Sequence, residues 1–223
     1  MNPWVLLDET DVPNDGGIMK LYQRAFEFSI SIDCEELMNS RMHGSEDALA
    51  ELACRPLVPK KKPCVLIGGL GMGFTLRAAL DTLPPDSTVE VAELVPAVVR
   101  WNRTHLADLA GNPLTDLRTI VHETDVALVI KKANDAYDAI MLDVDNGPDG
   151  LTHADNDRLY TAGGIKCAVN ALKSGGFLGV WSAEPDAAFT KRLRGAGLKV
   201  EEKTVRARKT KGRRHTIWLA QKV

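Results

Sequence analysis

Residues 65–80 read VLIGGLGMGFTLRAAL, and this stretch decides the fold class. An apolar run ends in Gly68 and Gly69, Gly71 and Gly73 follow, and the apolar spacing of a helix then begins. Glycine suits such a turn because it adopts positive φ and lets a ligand lie against the backbone. The free N–H groups at the start of the helix would face that ligand. The pattern predicts a strand, a glycine turn and a helix. The same residues also fit a turn that only packs helix on strand.

The composition is that of an ordinary globular protein. The chain has 223 residues, of which 44% are hydrophobic and 26% charged, and its formal net charge is −2. This length suits one good-sized domain with a small appendage. The charge gives no general attraction to nucleic acid or to an anionic membrane. No apolar run approaches the roughly 20 residues that cross a bilayer, so we expect no membrane partner.

The N-terminus and the cysteines indicate the cellular compartment. The first residues, MNPWVLLDETD, are acidic and lack the basic region of a signal peptide. The four cysteines show no Cys-x-x-Cys spacing and are Cys34, Cys54, Cys64 and Cys167. They predict reduced, mostly buried thiols in a cytoplasmic protein, without a metal site.

The chain divides into a small N-terminal part, residues 1–60, and a larger α/β part, residues 61–223. In the first part, apolar residues alternate with polar ones from Phe26 to Asp33, which predicts a strand of a small antiparallel sheet. Ser45 is expected to cap a helix that continues to Ala53. In the second part, strand and helix patterns alternate, as in a mostly parallel sheet with helices on both faces.

The predicted strands of the larger part lie at about 64–68, 88–93, 117–121, 138–143, 176–181, 197–205 and 214–221. The predicted helices lie at about 73–82, 95–108, 125–133, 155–172 and 186–195. A basic turn joins the last two strands, which predicts a C-terminal antiparallel hairpin.

Acidic residues close several of these strands, and ligands of open α/β sheets bind beyond the carboxyl ends of strands. Glu93 stands twenty positions after Gly73, and its two carboxylate oxygens can accept both hydroxyl groups of a ribose. A solvated acid at the strand end is the alternative. Asp125 either accepts a hydrogen bond from an adenine amino group or caps the next helix, and both roles can coexist. Leu94 and Val126 directly follow these acids and are included in the predicted nucleoside site.

Asp143 closes the fourth predicted strand and begins a loop rich in Asp, Asn and Gly, a composition that often marks only a turn. A carboxylate at the end of a central strand is costly when unpaired, and a cationic ligand or a substrate amine would supply the partner. We therefore predict a catalytic role for Asp143. We include Asp145 as a second catalytic candidate, for which a turn role fits equally well.

With these residues aligned, the chain resembles the spermidine synthase (polyamine aminopropyltransferase) family, within the class I S-adenosylmethionine-dependent methyltransferase-like fold. IGGLGMGFTLRAAL resembles the family's IGGGDGGTLREVL, and YDAIMLDVDNGP resembles its YDVIIVDSSDPVGP. RLYTAGGIKCAVNALKSGGFLGVWS resembles its FYELVKRALKPGGILVTQS. VEVAELVPAVVRWNR and ETDVALVI resemble its second-strand acid and its Gly-Asp segment. The similarity covers roughly residues 20–195.

The resemblance implies a Rossmann-like α/β fold, with a seven-stranded, mostly parallel sheet preceded by a small N-terminal β element. It implies S-adenosylmethionine or its decarboxylated form as co-substrate, a small-molecule amine acceptor, no metal, and association as a homodimer. Glu93 would hold the ribose, Asp125 the adenine amino group and Asp143 the incoming amine. The remaining residues assigned to nucleoside binding are Gly68, Gly69, Gly71, Gly73, Leu94 and Val126.

The chain also departs from the family's pattern. Gly71 stands where the family has an aspartate that pairs with the amino group of the decarboxylated donor. The family's Asp-x-x-Asp loop becomes Asp143-Val144-Asp145-Asn146, and its Tyr-His-Glu segment is replaced by residues 41–46. The loss of an acid at position 71 favours intact S-adenosylmethionine, whose own carboxylate suits a neutral glycine turn.

Three functions therefore stay open. They are alkyl transfer (aminopropyl or methyl) to a small amine, methylation of a non-polyamine substrate, and nucleoside binding without catalysis. The basic C-terminal hairpin would be the footprint of an RNA methyltransferase. We do not expect nucleic acid as a partner, because no aromatic residues interleave with its charges for base stacking.

Overall fold

The computed structural model describes residues 2–13, 17–144, 157–208 and 211–223, which form a small N-terminal sheet and a larger α/β unit. The N-terminal sheet is antiparallel with the strand order β1-β2-β3-β4. Its strands are β1 Val5–Asp11, β2 Ile18–Arg24, β3 Glu27–Ile32 and β4 Glu35–Asn39.

Two features of this sheet differ from the prediction. Phe26 lies outside the strand, in the turn between β2 and β3, where Ala25 has a φ of 55° and the Phe26 side chain is 94% exposed. The alternating pattern therefore begins one residue too early. β4 was not predicted, because its sequence EELMN does not alternate in the way a half-buried strand does.

Helix α1, Gly44–Cys54, follows the small sheet and packs against α2 and the larger sheet. The cap prediction is wrong: His43 occupies the N-cap position, and Ser45 lies within the first turn. The Ser45 hydroxyl donates to the Glu46 carboxylate, so it is not bonded to a main-chain N–H. A short 3₁₀ turn, Arg55–Leu57, ends this segment.

The larger sheet has seven strands in the order β10-β11-β9-β8-β5-β6-β7. Its strands are β5 Cys64–Gly68, β6 Thr88–Glu93, β7 Thr119–Glu123, β8 Tyr137–Leu142, β9 Leu172–Ser182, β10 Leu198–Arg208 and β11 Lys211–Lys222. Strands β5 to β9 pair in parallel, and β10 and β11 form the antiparallel hairpin at one edge. The predicted fold class is confirmed.

The helices of this unit are α2 Phe74–Thr82, α3 Pro96–Arg103, α4 Val126–Lys132, α5 Asp157–Tyr160, α6 Ala162–Ala171 and α7 Ala187–Gly195. The predicted helix 95–108 ends at Arg103. The predicted helix 155–172 is divided at Thr161, whose hydroxyl accepts the N–H of Gly164 and begins α6. Strand β9 begins at Leu172, earlier than the predicted strand 176–181, so Gly175 and Gly176 lie inside it.

Successive side chains of the central strands point to opposite faces of the sheet, so a hydrophobic core forms on each face. Val65 and Ile67 of β5 are buried on the face covered by α1, α2 and α3, while Leu66 is buried on the opposite face with α4, α6 and α7. The strand order reverses at β5, which lies between β6 and β8. This places a crevice at the carboxyl ends of β5, β6 and β8, where ligands of open α/β sheets bind.

All four cysteines are free thiols, and Cys34 is exposed rather than buried. Within residues 2–13, 17–144, 157–208 and 211–223, no helix has both the length and the apolar character needed to cross a membrane.

Candidate active site

A pocket lies at the carboxyl ends of β5, β6 and β8, between the glycine turn and the small N-terminal sheet. The larger unit contributes acidic and apolar side chains together with main chain, and the small sheet with the residue after β1 contributes apolar side chains. Those apolar side chains are Val12, Met19, Ile30, Ile32, Leu37 and Met38. The small sheet therefore closes the crevice with an apolar wall.

The glycine turn lies where the sequence predicted it, and two of its glycines line the pocket. Gly69 has a φ of +88°, and a Cβ there would lie 2.3 Å from the carbonyl oxygen of Asp143. Gly71 has a φ of +50°, and its Cβ would lie 3.0 Å from Met38 Sδ. Position 69 needs glycine, because a side chain would be strained and would meet backbone atoms. Position 71 favours glycine through its positive φ, since the Met38 side chain could move away from a Cβ. The turn is further held by Asn102 Nδ2, which donates to the Gly71 carbonyl at 2.8 Å.

The other two glycines shape the turn without lining the pocket. Gly68 is the last residue of β5, and a Cβ there would lie 2.9 Å from a methyl group of Val126. Gly73 is the N-cap of α2. Gly68 and Gly73 would therefore contribute to nucleoside binding by shaping the turn, without contacting the ligand.

Glu93 lies at the end of β6, lines the pocket and is 8% exposed. Its Oε2 accepts the N–H of Leu70 at 2.9 Å, and its Oε1 accepts the N–H of Val95 at 2.8 Å. Burial raises the pKa of Glu93, and these main-chain bonds oppose the rise. Each carboxylate oxygen has a second lone pair. The carboxylate can therefore hold the glycine turn and still accept hydrogen bonds from a ligand.

Asp125 also lines the pocket, and the structure shows its capping role. Its Oδ1 accepts the N–H of Ala127 at 2.7 Å, and its Oδ2 forms an ion pair with Arg158. Leu94 and Val126, which follow the two acids in sequence, line the pocket as well. An adenine amino group would have to share Asp125 with Arg158.

Asp143 follows β8 and lines the pocket beside the first turn of α2. The hydroxyl of Thr75 donates to its Oδ2 at 2.5 Å. Burial raises the pKa of Asp143 to about 6, and the Thr75 bond opposes the rise. Asp145, the second predicted catalytic acid, lies outside the described residues. The structure thus brings Asp143 together with the glycine turn, Glu93 and Asp125 in one pocket.

The sequence did not identify Glu46, a second carboxyl group of this pocket. Glu46 lies in the first turn of α1, is 9% exposed and accepts the Ser45 hydroxyl at 2.6 Å. Burial, and then the charge of Asp143, raise the pKa of Glu46 to about 8. At neutral pH the two carboxyl groups together hold about one proton, as interacting acids do. The signal for Glu46 was its place at the end of the segment that replaces the family's Tyr-His-Glu.

Four carboxyl groups thus line the pocket: Glu46, Glu93, Asp125 and Asp143. Among the described residues that line it, none is Lys or Arg. Residues 145–156, DNGPDGLTHADN, also contain no Lys or Arg. The pocket is therefore electrostatically suited to a cation. No group of three or more His, Cys, Asp or Glu side chains is placed to hold a metal ion within the described parts of the chain.

Aromatic side chains complete the walls. Trp181, near the end of β9, lines the pocket, and its buried Nε1 has no hydrogen-bond partner among the described residues. Phe74 stacks on His43 with ring centroids 4.1 Å apart, and His43 Nδ1 lies 3.0 Å from an Asp47 oxygen. His43 thus supports Phe74 from behind the pocket wall.

Solved structures with this architecture are known. A spermidine synthase in complex with the transition state analogue AdoDATO superposes with a TM-score of 0.76 at 17% identity, over 98% of this chain and 72% of that one. The spermidine synthase from Thermotoga maritima gives 0.76 at 18% identity, over 98% and 73%. This chain has a spermidine synthase fold. A probable spermidine synthase from Corynebacterium glutamicum ATCC 13032 gives 0.66 at 16% identity, over 98% and 79%.

The expected resemblance is confirmed at the level of the fold. No protein-family model and no curated protein sequence matches this chain. At identities of 16–18% the solved structures establish the spermidine synthase fold alone, so residue roles have to be argued from the pocket.

Proposed function

We propose that this protein is a spermidine-synthase-like transferase that moves an aminopropyl group from decarboxylated S-adenosylmethionine to a small amine. The observation that carries the proposal is the acidic pocket, in which Glu46 and Asp143 face a ligand space without a basic side chain among its described lining. Donor and acceptor are both cations in this reaction, and such a pocket favours cations.

The nucleoside would lie on the glycine turn. Gly69 and Gly71 bring main chain close to it, and Glu93 uses its remaining lone pairs to accept the ribose hydroxyl groups. Asp125 would accept the adenine amino group beside its bond to Ala127. The Leu94 and Val126 side chains would contact the base. Gly68 and Gly73 fix the turn on which this arrangement depends.

Asp143 would act on the acceptor. An alkylamine is protonated at pH 7 and must lose a proton before its nitrogen can attack. The Asp143 carboxylate, held by Thr75, accepts that proton. The nitrogen then forms a bond to the carbon next to the sulfonium, and the carbon–sulfur bond breaks with its electron pair remaining on sulfur. Asp145 is proposed as a second acid near the same amine.

The choice of donor follows from charge. Intact S-adenosylmethionine carries a carboxylate, which would enter a space lined by four carboxyl groups and could be stabilised only by main-chain N–H groups of the turn. The decarboxylated donor presents only an amine on that arm. The pair of Glu46 and Asp143, which keeps one negative charge at neutral pH, offers this amine the charge that Gly71 does not supply. Methyl transfer from the intact donor is the second candidate, and the free N–H groups of the turn favour it.

Calorimetry and product analysis test the proposal together. The protein is titrated with decarboxylated S-adenosylmethionine, intact S-adenosylmethionine and methylthioadenosine, and then incubated with each donor and a panel of amines for mass spectrometry. We expect the decarboxylated donor to bind more tightly than the intact one and an aminopropylated amine to form. Tighter binding of the intact donor together with a methylated product would refute aminopropyl transfer and identify a methyltransferase. Binding without any product would identify a non-catalytic protein.

A further inference from the structure

Three hydrogen-bonding groups connect the pocket with the C-terminal hairpin. Glu46 lines the pocket, and its Oε2 accepts the hydroxyl of Ser45 at 2.6 Å. His215 Nδ1, on β11, lies 2.9 Å from the same hydroxyl oxygen. Ser45 is fully buried, whereas the His215 ring is only partly buried. When Glu46 carries a proton, its carboxyl group can donate to Ser45 Oγ, and the Ser45 hydroxyl can then donate to an unprotonated His215 Nδ1. In that arrangement Ser45 links the two titratable groups directly.

The proposed reaction has a proton to dispose of. An alkylammonium acceptor and a sulfonium donor carry two positive charges, while the products are a neutral thioether and one secondary ammonium. One proton is therefore released in each turnover. The carboxyl groups of Asp143 and Glu46 already hold about one proton at neutral pH, so the pair has to pass a proton on before the next turnover.

We propose that Ser45 and His215 form the path by which this proton leaves the pocket, a role that rests on the proposed function. Asp143 takes the proton of the amine, and Glu46 then gives its own proton to Ser45 Oγ. The Ser45 hydroxyl proton passes at the same time to His215 Nδ1. The imidazolium formed in this way loses a proton to solvent. The proton that remains on Asp143 then passes to Glu46, which restores the carboxyl pair for the next turnover.

The charges around the path leave a neutral ring at its outer end and make the Glu46 proton easier to release once Asp143 is protonated. Burial and the nearby Arg213 lower the pKa of His215, and Glu184 opposes the decrease, so the ring is neutral at pH 7 and able to accept a proton. Burial raises the pKa of Glu46 most, Asp47 adds to the rise and the Ser45 bond opposes it; the charge of Asp143 is the second-largest cause of the rise. When Asp143 becomes protonated that cause disappears, and the proton on Glu46 becomes easier to release.

The ring of His215 is also held in place. Trp181 lines the pocket and meets the imidazole edge to face, with the ring centroids 4.8 Å apart. The same indole thus forms the pocket wall and positions the last member of the path.

The test compares wild type, Ser45→Ala, His215→Ala and a matched control, His122→Gln. His122 is also a partly buried histidine bonded to a carboxylate, at 2.8 Å from Glu90, but it does not line the pocket. We measure kcat and KM from pH 5 to 9 with the decarboxylated donor and an amine, with and without added imidazole. Thermal melting and methylthioadenosine binding check that each variant is folded.

We expect Ser45→Ala and His215→Ala to lower kcat on the order of tenfold to a hundredfold with little change in KM, since a proton-transfer step is impaired. The pH profile should change in both variants, imidazole should restore His215→Ala in part, and His122→Gln should behave as wild type. An active wild type whose two path variants keep its kcat and pH profile would refute the path and leave the proposed function standing. If kcat falls in His215→Ala, imidazole does not restore it and the pH profile is unchanged, His215 has a packing role instead. An inactive wild type would refute the proposed function and the path with it.

Discussion

The buried carboxyl group of Glu46 should make the stability of this protein fall as the pH rises, and Glu46→Gln should remove that dependence. The pKa of Glu46 is about 8 in the folded protein, compared with an ordinary value of 4.5. Between these values the folded state binds more protons than the unfolded state, so the free energy of unfolding decreases with pH. The Glu46 contribution is fully present below about pH 4.5 and is lost as the pH passes through about 8.

The size of the effect follows from the same two values. At 1.36 kcal/mol per pKa unit, the difference between 8 and 4.5 corresponds to at most about 5 kcal/mol. Part of this belongs to repulsion by Asp143, so we expect Glu46→Gln to be more stable than wild type by about 2–5 kcal/mol at pH 9. At pH 4 to 5 the two proteins should be nearly equal. The glutamine carbonyl can still accept the Ser45 hydroxyl, so the local hydrogen bond is retained.

Urea unfolding at intervals from pH 4 to 9 measures this difference. The matched control is Glu51→Gln, which lies on the same helix with 51% of the Glu51 side chain exposed. Titrating groups that do not interact with Glu46 contribute equally to each variant and to wild type, so their contributions cancel; the difference for Glu46→Gln reports Glu46 together with its interaction with Asp143. Parallel stability curves for wild type and Glu46→Gln would show that the Glu46 carboxyl does not have a raised pKa. A pH-dependent gain in Glu51→Gln as large as that in Glu46→Gln would show that burial is not the cause.

Three further substitutions test the pocket. Glu93→Ala should weaken methylthioadenosine binding about tenfold or more in calorimetry, because a buried charge-assisted hydrogen bond contributes roughly 1.5–3 kcal/mol; unchanged binding would remove Glu93 from the site. Asp143→Asn should leave nucleoside binding intact but lower kcat on the order of a hundredfold or more, and full activity would refute its role. Gly69→Ala should destabilise the protein by about 1–3 kcal/mol or more in urea unfolding, because of its positive φ and the Asp143 carbonyl 2.3 Å away. Gly195→Ala, where nothing lies within 4 Å of the added Cβ, is its control and should cost no stability.

The fold could be predicted because its determinants are local in the sequence. The apolar run, the glycine turn and the helix of residues 65–80 are one continuous signal, and the β/α alternation after it leaves few other architectures. The errors in the predicted element boundaries arose where a cap or a turn conformation, rather than the hydrophobic pattern, decides where an element begins or ends. Thr161 divides the predicted helix 155–172 because its hydroxyl caps α6, and Phe26 is displaced into a turn by the positive φ of Ala25.

The pocket was predictable only in part for a related reason. Glu93, Asp125 and Asp143 each end or follow a strand, and the carboxyl ends of parallel strands meet at one edge of the sheet. Glu46 comes from a helix that precedes the sheet in sequence. Its place in the pocket depends on how α1 packs against α2 and the larger sheet, which no local pattern encodes. The bond between Ser45 and His215 was hidden for the same reason, since the two residues are 170 positions apart.

The packing of Met38 gives a physical reason for the glycine at position 71. A Cβ at Gly71 would lie 3.0 Å from Met38 Sδ and 3.2 Å from its Cε, at a backbone φ of +50°. An aspartate, which the resemblance leads one to expect there, would therefore press against Met38 in the apolar wall formed by the small sheet, and the end of the Met38 side chain would have to move. The negative charge is supplied instead by the pair of Glu46 and Asp143, which both line the pocket. An acid placed at position 71 should therefore disturb the apolar wall and add no charge that the pocket lacks. Removal of Glu46 should reduce the affinity of the pocket for the amine of the decarboxylated donor.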